Sequence, residues 1–280
     1  VSPSLDTGIS WTTSTWNPVT GCRRVSAGCD RCYALELAGR LKRMGNPRYQ
    51  VDGDLERSGP GFGLTLHPDL LEAPLAWRKP RFVFVNSMSD LFQDGVDADY
   101  VEAVFDVMAR ASWHTFQVLT KRPGRMAAIV AKVQPEPLPN VWLGTSVESQ
   151  AWADVRIPQL VKTPAALRFL SAEPLLEELD LHGRLDGIGW VIVGGESGAH
   201  LRREWRERAL VGPDPAGGWV PKAECVEWLR LIRDDLADAG VPLWFKQWGG
   251  PGPNSAGHLL DGKEIYERPD PQAVAGARLF

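Results

Sequence analysis

The sequence predicts an α/β protein built on a parallel (β/α) barrel, complete or partial, and three observations predict it. Short apolar runs alternate with amphipathic stretches along most of the chain. Most of these runs end in a polar segment that leads into the next helical stretch. The 280 residues, 44% of them hydrophobic, suffice to bury one large core without a second domain. Alternating β and α elements imply parallel strands joined by right-handed crossovers; a doubly wound open sheet is the alternative.

Residues 9–12 (ISWT) read as a first strand ahead of a cysteine-containing loop, and residues 32–43 as the helix after it. Residues 62–66 read as a second, weakly marked strand. Residues 82–86 (FVFVN) are continuously apolar, β-branched or aromatic until the last, as in a strand buried on both faces. A helix over 98–110 follows, then a strand at 116–119 and a helix from 126. Strands at 141–143, 167–170, 190–193 and 243–245 complete the set; a helix follows the strand at 141–143, and another spans 225–237. One barrel domain over 1–280 results, with a polar, Gly/Pro-containing surface insertion at 45–61, a Pro/Gly-rich loop at 212–221 and a C-terminal extension at 250–280.

A formal net charge of -4 excludes the bulk basic field that many nucleic-acid binders carry. No apolar run approaches the length of about 18 residues that spans a bilayer, and no signal-peptide pattern occurs, so the expectation is a cytoplasmic protein with no membrane partner. Of four cysteines, Cys22, Cys29 and Cys32 crowd into one short loop, which in a reducing compartment points to a metal centre rather than a disulfide framework. Cys225 sits in an amphipathic stretch and reads as a small core residue.

The loop has the spacing C-x6-C-x2-C. Thiolates are soft ligands that hold iron–sulfur clusters through one sulfur per iron, so three of them leave one iron of a [4Fe-4S] cluster open. Gly21 and Gly28 let the chain bend close to such a group, and Arg23, Arg24 and Arg31 offset thiolate charge. Zinc is the rival occupant, with a fourth ligand from His67, His114, His182 or His200.

In barrels the chemistry sits at the carboxyl ends of the strands. Here those ends carry Asn86, Ser87, Ser89 and Asp90; Thr120, Lys121 and Arg122; Thr145, Ser146 and Glu148; Ser171 and Glu173; Gly194, Gly195, Glu196 and Ser197; and Lys246 and Gln247. Helix capping explains any one of them, Ser89 and Asp90 or Ser146 and Glu148 for instance. Six successive polar strand ends ask for more, and together they suit a polar, zwitterionic ligand.

The ordered set WNPVTGC, C-x6-C-x2-CY, FVNSMSDLF, LTKRP, LGTSVES, SAEP, VIVGGESG and FKQWG resembles the phage-associated three-Cys-motif proteins of unknown function, divergent relatives of radical S-adenosylmethionine (SAM) enzymes. The resemblance runs from about residue 9 to residue 249. It implies a radical SAM-like barrel, a [4Fe-4S] cluster on Cys22, Cys29 and Cys32, SAM as second cofactor, an external electron donor, and a 5′-deoxyadenosyl radical acting on substrate. The cysteine loop is longer than the superfamily's common C-x3-C-x2-C, and Gly194-Gly195-Glu196 follows a late strand rather than an early one. SMSD is therefore the positional candidate for SAM, through Ser87, Ser89 and Asp90. Glu148, Glu173 and Glu196 are candidates for SAM or substrate, and Lys121, Arg122 and Lys246 for a substrate carboxylate or phosphate.

Two other readings stand beside this one. A cluster-containing nucleic-acid-binding protein, in DNA repair or phage–host interaction, would use Arg23, Arg24, Lys42, Arg43 and Arg48 beside the loop and the stretch Arg202, Arg203, Arg206 and Arg208. Trp11, Trp16 and Tyr33 would stack on bases. A zinc- or cluster-stabilised barrel would serve as an interaction module.

Overall fold

The structure is a computed structural model and describes residues 7–276. Its strands are β1 (Ser14–Trp16), β2 (Val19–Thr20), β3 (Thr65–Leu66), β4 (Phe82–Val85), β5 (Thr115–Thr120), β6 (Val141–Ser146), β7 (Leu167–Ala172), β8 (Trp190–Val193), β9 (Val211–Pro213), β10 (Trp219–Pro221) and β11 (Leu243–Phe245). Its α-helices are α1 (Tyr33–Arg43), α2 (Ala98–Arg110), α3 (Pro123–Val133), α4 (Gln150–Val161), α5 (Arg203–Arg208), α6 (Ala223–Asp238) and α7 (Pro271–Gly276). Seven strands form one parallel sheet in the order β1-β4-β5-β6-β7-β8-β11. Among the described residues no pairing joins the two ends of that order, so the sheet is the partial form of the expected barrel. None of the helices is long and apolar enough to cross a membrane, among the described residues.

The chain divides into two compact units: one holds residues up to 144, 162–167 and those from 271, the other 145–161 and 168–270. In the first, β1 pairs with β4 (Ser14↔Val83, Trp16↔Val85) and β4 with β5 (Phe82↔Thr115, Val85↔Val118). Val83, Val85, Phe116 and Val118 are all fully buried, as a strand covered on both faces requires. Helix α2 begins where the Asp97 carboxylate accepts the Tyr100 N–H at 2.9 Å. It buries Val101, Val104, Phe105 and Met108, an i, i+3, i+4, i+7 stripe in which each large side chain contributes about 1.5–3 kcal/mol. Helix α3 opens with Pro123 in its first turn, where a missing N–H costs nothing.

In the second unit β8 lies between β7 (Phe169↔Trp190, Ala172↔Val193) and β11 (Leu243↔Val191, Phe245↔Val193). Helix α6 buries Cys225, Leu229, Ile232 and Leu236. Cys225 is thus the small core residue that its amphipathic setting predicted.

Three sequence expectations change. Residues 9–12 are a turn closed by the Thr12 N–H on the Ile9 carbonyl, and the strand falls on Ser14–Trp16 instead. Trp11 is apolar because it packs on Phe84, ring centroids 4.7 Å apart, not because it belongs to the ladder. Of residues 62–66 only Thr65–Leu66 is strand, and it pairs antiparallel with β2 outside the main sheet, which leaves seven strands there rather than eight. The loop expected at 212–221 is a hairpin of β9 and β10, with only residues 214–218 as its turn.

Candidate metal centre

The first unit builds the cysteine loop from the end of β1. The Asn17 side chain reaches the loop after β4 and accepts the Met88 N–H at 2.9 Å. The Gly21 N–H donates to the Met88 carbonyl at 3.0 Å, and the Ser89 hydroxyl donates to the Val19 carbonyl at 2.8 Å. The Gln93 amide donates to the Gly21 carbonyl, and the Tyr33 hydroxyl to the Ser87 carbonyl at 2.7 Å. Gly21 has φ +84°, and a Cβ there would lie 2.1 Å from the Gly63 carbonyl oxygen, so only glycine lets the two segments pass. From below, the Thr20 hydroxyl meets His67 Nε2 at 2.8 Å, and His67 Nδ1 faces Arg48 at 3.4 Å.

Cys22 follows this anchored turn. A short 3-10 turn, Ala27–Cys29, carries Cys29. Cys32 stands at the cap of α1, where the helix N-terminus favours an anion. Cys22 and Cys32 pack against Ala34, Ala38, Tyr49, Phe62 and Met88, which ties the loop to a hydrophobic cluster. The segment after α1 closes the other side, with the Ser58 hydroxyl on the Cys22 carbonyl at 2.8 Å and the Arg24 N–H on the Arg57 carbonyl at 2.7 Å. A cavity of about 340 Å³ opens here, lined among others by Cys22, Arg23, Asp52, Asp54, Gln93 and Asp94.

Two consecutive residues after β5 bring cations to the thiols. Burial pushes the Cys22 thiol up to about 12; Asp90 adds to the shift and Arg122 opposes it. Burial also raises Cys32, against backbone N–H donors and the Lys121 cation. Arg122 Nη1 lies 2.7 Å from Asp90 and 4.0 Å from Cys22 Sγ, and its Nη2 donates to the Arg23 carbonyl at 3.0 Å. Burial works against that guanidinium, yet Asp90 and Cys22 hold its pKa above the ordinary value. Three soft donors with cations beside two of them suit an iron–sulfur cluster. Among the described residues no three His, Cys, Asp or Glu side chains converge as ligands of a single ion must. The histidines weighed for zinc include two with other contacts: His67 is held by Thr20 and Arg48, and His114 Nε2 contacts the Pro74 carbonyl at 3.1 Å.

The sequence-predicted residues thus fall into two groups. In the first unit Ser87, Ser89, Asp90, Lys121 and Arg122 all gather at the cysteine loop. Asp90, 5% exposed, accepts from Phe92 N, Thr120 Oγ1, Lys121 N and Arg122 Nη1. In the second unit each glutamate has a cation. Glu148 and Arg156 meet at 2.7 Å with both side chains 1% exposed, and Arg156 stacks over Trp152 at 4.0 Å. Glu196 takes both Arg208 Nη2 at 2.6 Å and Nε at 3.0 Å. Glu173 is paired with Lys246, beside Gly194. Gly195 has no room for a side chain, since a Cβ would lie 1.9 Å from the Trp248 carbonyl oxygen.

Sequence reasoning missed Asn17, Gln93 and His67 as supports of the loop, and Arg156 and Arg208 as partners of the glutamates. Arg156 carried one usable signal, its place on the inward face of α4 beside Ala153, Ile157 and Leu160. The stretch Arg202–Arg208 is largely self-neutralised: Arg202 faces Glu204 at 3.7 Å, Arg203 binds Glu207 at 2.7 Å and Arg208 binds Glu196.

The fold is that of spore photoproduct lyase. A cysteine-to-serine mutant of that enzyme superposes with a TM-score of 0.53 over 87% of this chain and 78% of its own, at 10% identity. A double mutant of it with bound AdoMet and dinucleoside spore photoproduct gives 0.50 over 82% and 75%, at 11% identity. At such identity the likeness concerns the fold alone. No curated protein matches the chain. A family model does, over residues 6–210, and the chain belongs to that family, described as a protein of unknown function (DUF5131).

Proposed function

We propose that the protein is a radical SAM-like enzyme whose [4Fe-4S] cluster is held by Cys22, Cys29 and Cys32. The observation that carries this reading is the cysteine loop. It follows the first strand of a parallel sheet, is laced to the loop after β4, and has Arg122 Nη1 at 4.0 Å from Cys22 Sγ. The fold shared with spore photoproduct lyase supports it, as does the AdoMet bound in one of that enzyme's structures. When bound, the cluster supplies an open iron for chelating SAM and the electron for its reductive cleavage.

The chain's own work is placement. Cys22, Cys29 and Cys32 each bind one iron. Lys121 and Arg122 balance thiolate charge. Met88, Phe62 and Tyr49 shield the inner side of the loop from water. Ser87 and Ser89 are the proposed contacts to SAM in this unit, on a loop already fixed by Asn17 and Gly21. In the second unit the Glu173–Lys246 pair is offered to a polar ligand, whereas Glu148 is spent on Arg156.

Anaerobic reconstitution with iron, sulfide, dithionite and SAM tests the reading. Close to four irons per chain and release of 5′-deoxyadenosine are expected, lost in Cys22→Ala, Cys29→Ala and Cys32→Ala but kept in Cys225→Ala. Iron-free protein that binds zinc instead, or a reduced cluster whose EPR spectrum ignores SAM, sinks it.

A nucleic-acid substrate is proposed on a separate observation. Arg23 and Arg24 in the loop, and Arg57, whose carbonyl accepts the Arg24 N–H, are exposed with no ion-pair partner among the described residues, while Lys42 and Arg48 are held by Asp52 and Asp69. Exposed, uncompensated arginines suit phosphates. Binding of a DNA oligonucleotide that weakens with salt, and weakens further in Arg23→Glu/Arg24→Glu, is expected; binding indifferent to both would remove the substrate class.

A further inference from the structure

The loops after β4 and β5 place one cation where the geometry leaves it little freedom. Asp90 Oδ1 accepts from Phe92 N at 2.9 Å and Thr120 Oγ1 at 2.7 Å; Oδ2 accepts from Lys121 N at 3.1 Å and Arg122 Nη1 at 2.7 Å. Thr120 Oγ1 in turn accepts the Arg122 N–H at 2.9 Å. The Arg122 backbone and one face of its guanidinium are therefore fixed by the same two residues. The other end donates to the carbonyl of Arg23, next in sequence to Cys22, at 3.0 Å. Between those anchors Nη1 stands 4.0 Å from Cys22 Sγ. The Arg122 side chain is only 16% exposed, and that of Asp90 7%, so solvent screens the charge weakly.

We propose that Arg122 is a positioning residue that tunes the reduction potential of the centre through Cys22, with Asp90 as the group that aims it. This rests on the cluster reading above. It also moves both residues out of the roles their sequence positions suggested: Asp90 has no oxygen left over for SAM, and Arg122 faces a ligand sulfur rather than a substrate anion. A fixed cation and an N–H donor at a ligand sulfur stabilise the more negative, reduced state and so raise the potential. Only arginine can meet Asp90, the Arg23 carbonyl and the sulfur at once, because its planar fork carries five N–H donors, whereas lysine is a single point charge.

The test is an EPR-monitored redox titration of reconstituted protein, in which dithionite is oxidised and the cluster takes up one electron. Arg122→Gln is expected to lower the reduced-to-oxidised ratio at a given potential by tenfold or more, a shift of 59 mV toward negative values for one electron. Arg122→Lys should fall between that variant and the parent, and it stands in for Arg122→Gln should the latter fail to retain iron. Lys132→Gln, which removes an exposed cation from α3 of the same unit, should titrate with the parent. A parent chain that binds no cluster overturns the cluster reading and this inference together. A parent that binds one, with Arg122→Gln or Arg122→Lys titrating at the parent's potential, overturns the inference alone. A shift as large in Lys132→Gln as in Arg122→Gln also overturns it, since net charge and not placement would then set the potential.

Discussion

Replacing Glu148 by glutamine separates a structural carboxylate from a catalytic one. Glu148 and Arg156 form an ion pair at 2.7 Å with both side chains 1% exposed, and Arg156 Nη1 also donates to the Ser146 carbonyl at 2.9 Å. Glu148→Gln leaves the Arg156 cation buried without its counter-charge. Removing one partner of such a pair costs about 3–5 kcal/mol, far above the 0–1 kcal/mol of an exposed pair. With a urea slope of about 3 kcal/mol/M, the unfolding midpoint should drop by about 1–1.7 M. The double variant Glu148→Gln/Arg156→Met replaces both charges and should recover most of the loss. Urea unfolding followed by tryptophan fluorescence reads both, with Trp152 stacked on Arg156 as a local reporter. A single-variant midpoint within about 0.3 M of the parent, or a double variant as unstable as the single, would refute the reasoning. Glu148 would then be available to a ligand, as its strand-end position suggests.

Three further outcomes follow from particular contacts. Gly21→Ala should lower the thermal midpoint and abolish binding of the proposed cluster, because the new Cβ meets the Gly63 carbonyl at 2.1 Å on a backbone with φ +84°; a midpoint and iron content at the parent's level would contradict this. Burial raises Cys225 from 9.0 to about 11, so the folded state keeps a proton that the unfolded state releases. Its contribution is full below pH 9 and fades as pH rises through 11. Stability should fall by about 2–3 kcal/mol over that window, and the decline should be shallower in Cys225→Ala. Burial, aided by Arg48, holds His67 below its ordinary 6.5, so the unfolded state takes up a proton that the folded one resists. Stability should then be lost as pH falls below 6.5, and less steeply in His67→Gln; identical acid limbs would contradict it.

How much was legible follows from what each signal depends on. Strands such as Phe82–Val85 and Trp190–Val193 announce themselves, because burial on both faces demands an unbroken apolar run. Helices such as Ala98–Arg110 do so through an apolar stripe and a capping aspartate. Residues 9–12 and 62–66 misled, because an apolar run records burial and not pairing. Trp11 packs on Phe84 from a turn, and Phe62 belongs to the cluster under the cysteine loop. The three cysteines share one loop, but their spacing does not show that Asn17, Gly21 and Ser58 anchor it. The fate of the carboxylates was not legible either: whether Glu148, Glu173 or Glu196 is free for chemistry depends on Arg156, Lys246 and Arg208, which lie 8, 73 and 12 residues away.

The strand-end motif TKR shows how one tripeptide is divided among those uses. Thr120 is the last residue of β5, and its hydroxyl is committed to Asp90, which joins the β5 end to the loop after β4. The next two residues carry the cations: Arg122 Nη1 stands 4.0 Å from Cys22 Sγ, and the Lys121 charge opposes the upward shift of the Cys32 thiol. The same tripeptide therefore caps, anchors and compensates charge. Its polarity alone suits a substrate site, because the sequence does not show that β5 ends beside the cysteine loop. Once that adjacency is known, Arg122 is better explained by the Cys22 thiol of its own unit than by an external anion.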